Sequence, residues 1–184
     1  AFCYYHYWFG DGRRLLERPF KEVLGSGEPD FPFMLCWANQ TWAGLWHGLA
    51  GKTLIEQRYP GRHDHEAHFE LLLGAFLDRR YLRVDGMPVF MIYRPLELPD
   101  TRVTLDLWRT MARAAGLPGI YFLAEHGDPG WNCRDFGFDA FVNMRPLQRR
   151  RSWVPSSQPV TKTRNRVQDM LERPTVLAYE RQLD

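Results

Sequence analysis

Several absences narrow this 184-residue chain before any motif is considered. It has only three cysteines, Cys3, Cys36 and Cys133, far apart and without a Cys-x-x-Cys pair, so neither a disulfide framework nor a thiolate zinc site is expected. No apolar run approaches the ~18 residues of a membrane-spanning helix, and no basic-then-apolar leader opens the chain. Charge of one sign is scarce as well. Lys and Arg number 24 against 22 Asp and Glu, a net charge of +2, which argues against a dedicated nucleic-acid binder relying on clustered cations. No glycine-rich phosphate turn follows the first strand-like run, so a nucleotide-binding sheet is disfavoured and no cofactor is expected. Aromatic residues, by contrast, are plentiful: seven Trp, eight Tyr and twelve Phe.

The first residue is Ala1, set directly in an aromatic strand-like run, and residues 179–184 carry no cap or stop signal. A piece of a longer protein is expected. Period and punctuation divide the chain into alternating strands and helices. Strands are expected over residues 2–9, 31–37, 88–93, 120–125 and 138–143, with a turn at Asp85-Gly86. One helix starts near Pro19, buries Phe20, Val23 and Leu24, and stops at Gly25 and Gly27. A second carries Phe69, Leu72, Leu73, Phe76 and Leu77 at helical spacing, with Asp64 as its cap and Glu66 in its first turn. A third, capped by Asp100 or Thr101, turns Leu105, Trp108, Ala112 and Ala115 inward and ends at Gly116 and Pro118. Val167, Met170 and Leu171 have helical spacing in the tail.

Most of these strands are apolar on both faces, the pattern of a parallel sheet covered by helices, hence an α/β protein. A doubly wound sheet and a (β/α)8 barrel share it. The barrel is favoured because nearly every strand ends in polar or aromatic residues, and strand C-termini are where barrels keep their sites. The expectation is a partial TIM-type barrel with about five of eight strands, one incomplete domain over residues 1–184. Residues 145–173, with eight Lys and Arg against two acids, form a basic, less ordered segment suited to phosphates or to solvent.

Indole and phenol rings interleaved with amide, imidazole and guanidinium groups suit a carbohydrate. Sugar C–H faces pack on aromatic faces, and hydroxyl rims need oriented donors and acceptors. Trp8, Trp37, Trp42 and Trp46 are the stacking candidates, with Tyr7 and Tyr93 beside them. His6, Asn39, Gln40, Arg94 and Asn143 are the hydrogen-bonding candidates, and Glu125 is the catalytic candidate. His65 and His68 stand at i, i+3, but the surrounding residues lack the His-Glu-x-x-His pattern of zinc hydrolases, so no metal is expected.

With those residues laid out, the chain resembles a known family. Residues 4–9 (YYHYWF), 15–19 (LLERP), 26–33 (SGEPDFPF), 36–39 (CWAN), 54–57 (LIEQ), 81–88 (YLRVDGMP) and 92–95 (IYRP) look like the WbsX-like proteins of bacterial polysaccharide loci. The likeness weakens after Arg145. That family is described as glycosyltransferase WbsX-like and is similar to glycoside hydrolase family 99, the endo-α-mannosidases, which are (β/α)8 barrels. The resemblance implies glycosyl transfer or glycoside cleavage on a mannoside-like glycan in bacterial surface (lipo)polysaccharide biosynthesis, with an oligosaccharide or glycolipid as substrate. It implies a cytoplasmic location, or one peripheral to the membrane. It also implies that a first strand precedes Ala1 and that the paired glutamates of family-99 hydrolases lie beyond Asp184. This chain departs from the pattern at Gln40 and Asn143, where amides stand in place of expected carboxylates. An amide binds a hydroxyl but transfers no proton. A non-catalytic glycan-binding module is therefore the alternative.

Overall fold

A run that is apolar at both parities leaves neither face fit for water, and residues 33–37 and 88–92 are such runs. In the computed structural model, which describes residues 1–44, 52–128 and 130–143, they are the central strands of a mostly parallel sheet. In chain order the elements are β1 (Phe2–Trp8), β2 (Arg14–Leu15), α1 (Arg18–Ser26), β3 (Phe33–Trp37), β4 (Trp42–Ala43), β5 (Thr53–Ile55), α2 (Arg62–Leu77), β6 (Arg83–Val84), β7 (Met87–Ile92), α3 (Thr101–Ala114), β8 (Tyr121–Glu125) and β9 (Ala140–Val142). Short 3-10 turns cover Pro95–Glu97 and Cys133–Phe136.

The strands β1, β3, β7, β8 and β9 are parallel and lie side by side in that order. Their order in space repeats their order in sequence, without the reversal of a doubly wound sheet. The α/β class and all five expected strands are observed, with ends displaced by one or two residues. Short antiparallel pieces flank them: β2 on β1, β6 on β7, and a separate β4–β5 ribbon. The β6–β7 hairpin turns through Asp85 and Gly86, both at positive φ, as a two-residue turn between right-twisted strands requires.

Successive side chains of a strand point to opposite faces. All three helices pack on one face. Phe20 of α1 meets Tyr4 of β1 at 5.8 Å, and Phe76 of α2 meets Phe90 of β7 at 5.8 Å. Trp108 of α3 lies 5.1 Å from Phe90 and 6.3 Å from Phe122 of β8. The helix-facing parity therefore runs through Tyr4, His6 and Trp8, then Phe33, Leu35 and Trp37, then Phe90 and Phe122. The other parity, through Cys3, Tyr5, Tyr7, Cys36, Met91, Leu123 and Glu125, forms a face to which none of the three helices is applied.

Three local expectations need correction. Gly61, not Asp64, precedes α2. Asp64 lies in the first turn, where its carboxylate accepts the Trp8 indole N–H (2.9 Å) and the Asp11 backbone N–H (2.7 Å). Those two long-range donors replace the capping bond. Phe20, Val23 and Leu24 are only half-buried, because α1 lies at the side of the core and has no fully buried residue. Ala115 falls outside α3 and is half-buried, since Gly116 at φ +85 has already unwound the chain.

At the opposite end of the sheet from the strand C-termini, Arg80 is buried. Its guanidinium engages Asp78 at 2.7 Å and the carbonyls of Val23 and Pro29, and it lies 5.3 Å from the Phe33 ring centre. The described residues 1–143 fall within one unit, Ala1–Met144. The basic segment 145–173, the helix expected near residues 167–171, and Trp46 lie outside the described residues. No helix among the described residues is long and apolar enough to cross a membrane.

Candidate functional site

The register brings distant residues to one edge. His6 pairs with Trp37, Trp37 with Ile92, Ile92 with Ala124, and Glu125 with Val142. The C-terminal ends of the five parallel strands therefore stand together, and they carry most of the candidates. Parity then divides those candidates into two groups.

His6, Trp8 and Trp37 point to the helices and are buried. They surround His68 of α2, which is fully buried. The Nε2 atoms of His6 and His68 lie 2.8 Å apart, so one imidazole donates and the other accepts. Trp8 stacks flat on His68 at 4.7 Å, and Trp37 and Trp108 meet the same ring edge-on at 4.7 and 4.9 Å. The indole N–H groups are taken by Asp64, by the Trp8 carbonyl and by the His65 carbonyl, respectively for Trp8, Trp37 and Trp108. Burial holds both histidines in the neutral form, His6 at about 4 and His68 well below its ordinary value. This cluster is packed core. Its rings are turned away from the face that carries Tyr5 and Tyr7.

Tyr7, Trp42, Tyr93, Arg94 and Glu125 gather at the other face and its rim. Tyr7 and Trp42 meet edge to face at 5.2 Å. Tyr5, which the sequence reading left out of the candidates, is 43% exposed and links Tyr7 (6.4 Å) to Tyr93 (6.1 Å). The signal for it was its shared parity with Tyr7. Asn39 is fully buried, and its amide is committed to other protein groups. Oδ1 accepts the Arg94 backbone N–H at 2.7 Å, and Nδ2 donates to the Arg94 carbonyl at 2.9 Å and to the Tyr59 hydroxyl at 3.0 Å. It acts as a clamp that fixes the chain just past β7. Gln40 accepts from Arg94 Nε at 3.3 Å, and the guanidinium lies 4.8 Å over the Tyr93 ring. Asn143 follows β9 at the same edge and is exposed.

Glu125 ends β8, and no other described strand ends in a carboxylate. Its Oε2 is buried with no hydrogen-bond partner among the described residues. Burial pushes the carboxyl above its ordinary range, with the positive charge of Arg94 opposing. Tyr5 lies near enough to feel the Glu125 charge. A carboxyl so placed retains its proton to higher pH than a solvated one and can deliver it to a leaving oxygen. Among the described residues, no three His, Cys, Asp or Glu side chains converge as metal ligands.

Comparison with known proteins adds a family. Over 151 residues the chain is 37% identical to two proteins described as uncharacterized protein WxcX, from Xanthomonas campestris pv. campestris strains B100 and ATCC 33913. The match covers 79% of this chain and 21% of each relative, so the chain spans about a fifth of their length. No solved structure matches. The family described as glycosyltransferase WbsX matches residues 1–183, from the first strand through the whole rim just described. The chain belongs to the glycosyltransferase WbsX family, a glycan-related enzyme family.

Proposed function

We propose that the chain supplies the glycan-holding part of an enzyme that transfers or cleaves a mannoside-like unit in bacterial surface-polysaccharide biosynthesis, with Glu125 as its proton donor. The carrying observation is the buried Glu125 Oε2 at the end of β8, which has no hydrogen-bond partner among the described residues and lies on the same face as Tyr5, Tyr7 and Tyr93. Tyrosine faces offer stacking surfaces to sugar C–H groups, and Arg94 and Gln40 offer rim donors and acceptors. The unreversed order of the five parallel strands supports an arc of a (β/α)8 barrel, in which strand C-termini form the site. The substrate is an oligosaccharide or a glycolipid, met in the cytoplasm or at the membrane surface.

A non-catalytic glycan-binding module is the second reading, favoured by Gln40 presenting an amide at the rim. Calorimetric titration of the full-length protein with mannotriose, beside an assay of turnover, tests both. Replacing Tyr93 by Ala is expected to weaken binding about tenfold, the loss of one stacked ring. Unchanged affinity in that variant would remove the rim from the account. Binding without turnover would select the module.

A further inference from the structure

We propose that the rim takes an acidic glycan, whose anionic group is gripped by the two terminal nitrogens of Arg94. This rests on the glycan reading above and narrows it to sugars that bear an oxyanion.

The buried and half-buried arginines of this fold show what a structural guanidinium looks like. Arg80 engages Asp78, the Pro29 carbonyl and the Val23 carbonyl through Nε, Nη1 and Nη2. Arg109 engages Asp106, Asp139 and the Gly137 carbonyl through its two terminal nitrogens. Arg94 differs. Its Nε bonds Gln40 Oε1, and Glu97 Oε1 stands 3.9 Å off, while Nη1 and Nη2 have no acceptor among the described residues. The rest of the residue is held firmly. Asn39 clamps the backbone through both its N–H and its carbonyl, and the flat face of the guanidinium lies on Tyr93. An arginine fixed at its main chain, at Nε and on one face projects its outer nitrogens in a set direction. Two parallel donors so held match a pair of oxyanion oxygens, which a lysine's point charge does not reproduce.

The surroundings suit an anion. Gln40 is neutral, and Glu97 is exposed and at the limit of ion-pair reach, so it competes weakly. Glu125 lies near enough to feel the Arg94 charge, and burial raises its pKa against that charge. The carboxylate of a uronic acid and a phosphate ester on a sugar share the required chemistry.

The test is calorimetric titration of the full-length protein with trimannuronate, with mannotriose as its carboxyl-reduced counterpart, and with mannose and mannose 6-phosphate. Wild type, Arg94→Gln and Arg94→Lys are compared. The expected result is that trimannuronate binds at least about tenfold tighter than mannotriose, the worth of a charge-assisted pair of hydrogen bonds. That advantage should vanish in Arg94→Gln and return only in part in Arg94→Lys. Melting temperatures should hold, because the Asn39 clamp grips backbone atoms that every substitution retains. A preference for mannose 6-phosphate over mannose with no gain for the uronate supports the grip and assigns the anion to phosphate. Equal affinities across both pairs overturn the proposal and leave the glycan reading standing. Failure of all four sugars to bind overturns both.

Discussion

Replacing Glu125 by Gln in the full-length protein is expected to lower turnover on α-mannosides by about 10²–10⁴-fold, the usual worth of a positioned proton donor. Glycan affinity should stay close to wild type, because the amide keeps the shape and one acceptor oxygen. Two features of the carboxyl lead to this expectation. Its Oε2 is buried without a partner among the described residues, and burial raises its pKa against the opposing charge of Arg94. A general acid works in its protonated form, so the rate should fall as pH rises through that raised value, and Glu125→Gln should erase this limb of the profile. Removing the positive charge with Arg94→Gln takes away the opposing influence and should move the limb to higher pH. A Gln variant with wild-type turnover would exclude Glu125 from the chemistry. A pH profile unchanged in both variants would do the same. Paired carboxylates are the usual requirement for glycoside cleavage, and among the described strand ends only β8 carries one. The partner group is therefore sought outside the described residues, in the rest of this chain or of the full-length protein.

The second large effect concerns the core. Mild acid is expected to destabilise the fold steeply between pH 6.5 and about 4. Folding keeps His6 neutral down to about 4, whereas the unfolded chain protonates it near 6.5. The unfolded state therefore binds the extra proton within that window. The stabilisation is full above pH 6.5 and is lost as pH falls, by about 3 kcal/mol from His6 alone. His68, also held well below its ordinary value by burial, acts in the same direction, and among the described residues it faces His6, His65 and three indoles. Asp64 beside His65, and Glu17 near His6, temper the effect, and Arg14 adds to it. Two carboxyls set its limits. Asp78, held low by Arg80, begins to lose stability only below its ordinary range, and Glu125 runs the opposite way, since acid favours its protonated folded form. Melting temperature followed from pH 7 to pH 4.5 should fall throughout, and less so in His6→Gln. A flat profile would mean that the two imidazoles are not enclosed as described.

Much of this fold was legible because both-sided apolar runs such as 33–37 and 88–92 have few alternatives, and because Asp85-Gly86 and Gly116 carry their turn chemistry in the sequence. The site was less legible, for a reason visible in β1. Tyr4, Tyr5, His6, Tyr7 and Trp8 are aromatic at both parities, so alternation cannot tell which set meets the helices. Trp8 and Trp37 therefore read as stacking platforms for a sugar, although their indoles enclose His68. A clue lay in α2. Asp64, His65 and His68 fall on the same helical stripe as Phe69, Leu72, Ala75 and Phe76, which places the polar members of that stripe in the core as well. Asn39 shows the same limit differently. An amide after a strand end suits a hydroxyl or a backbone equally, and only the approach of Arg94 across 55 residues decides for the backbone.

The central claim is a location, and the direct measurement is a crystal structure of the full-length protein with a bound manno-oligosaccharide. The account predicts sugar rings on Tyr5 and Tyr93, within hydrogen-bond reach of Arg94 and Glu125, at the C-terminal ends of β7 and β8. A glycan seated away from this rim, with Tyr5, Tyr93 and Glu125 untouched, would contradict it.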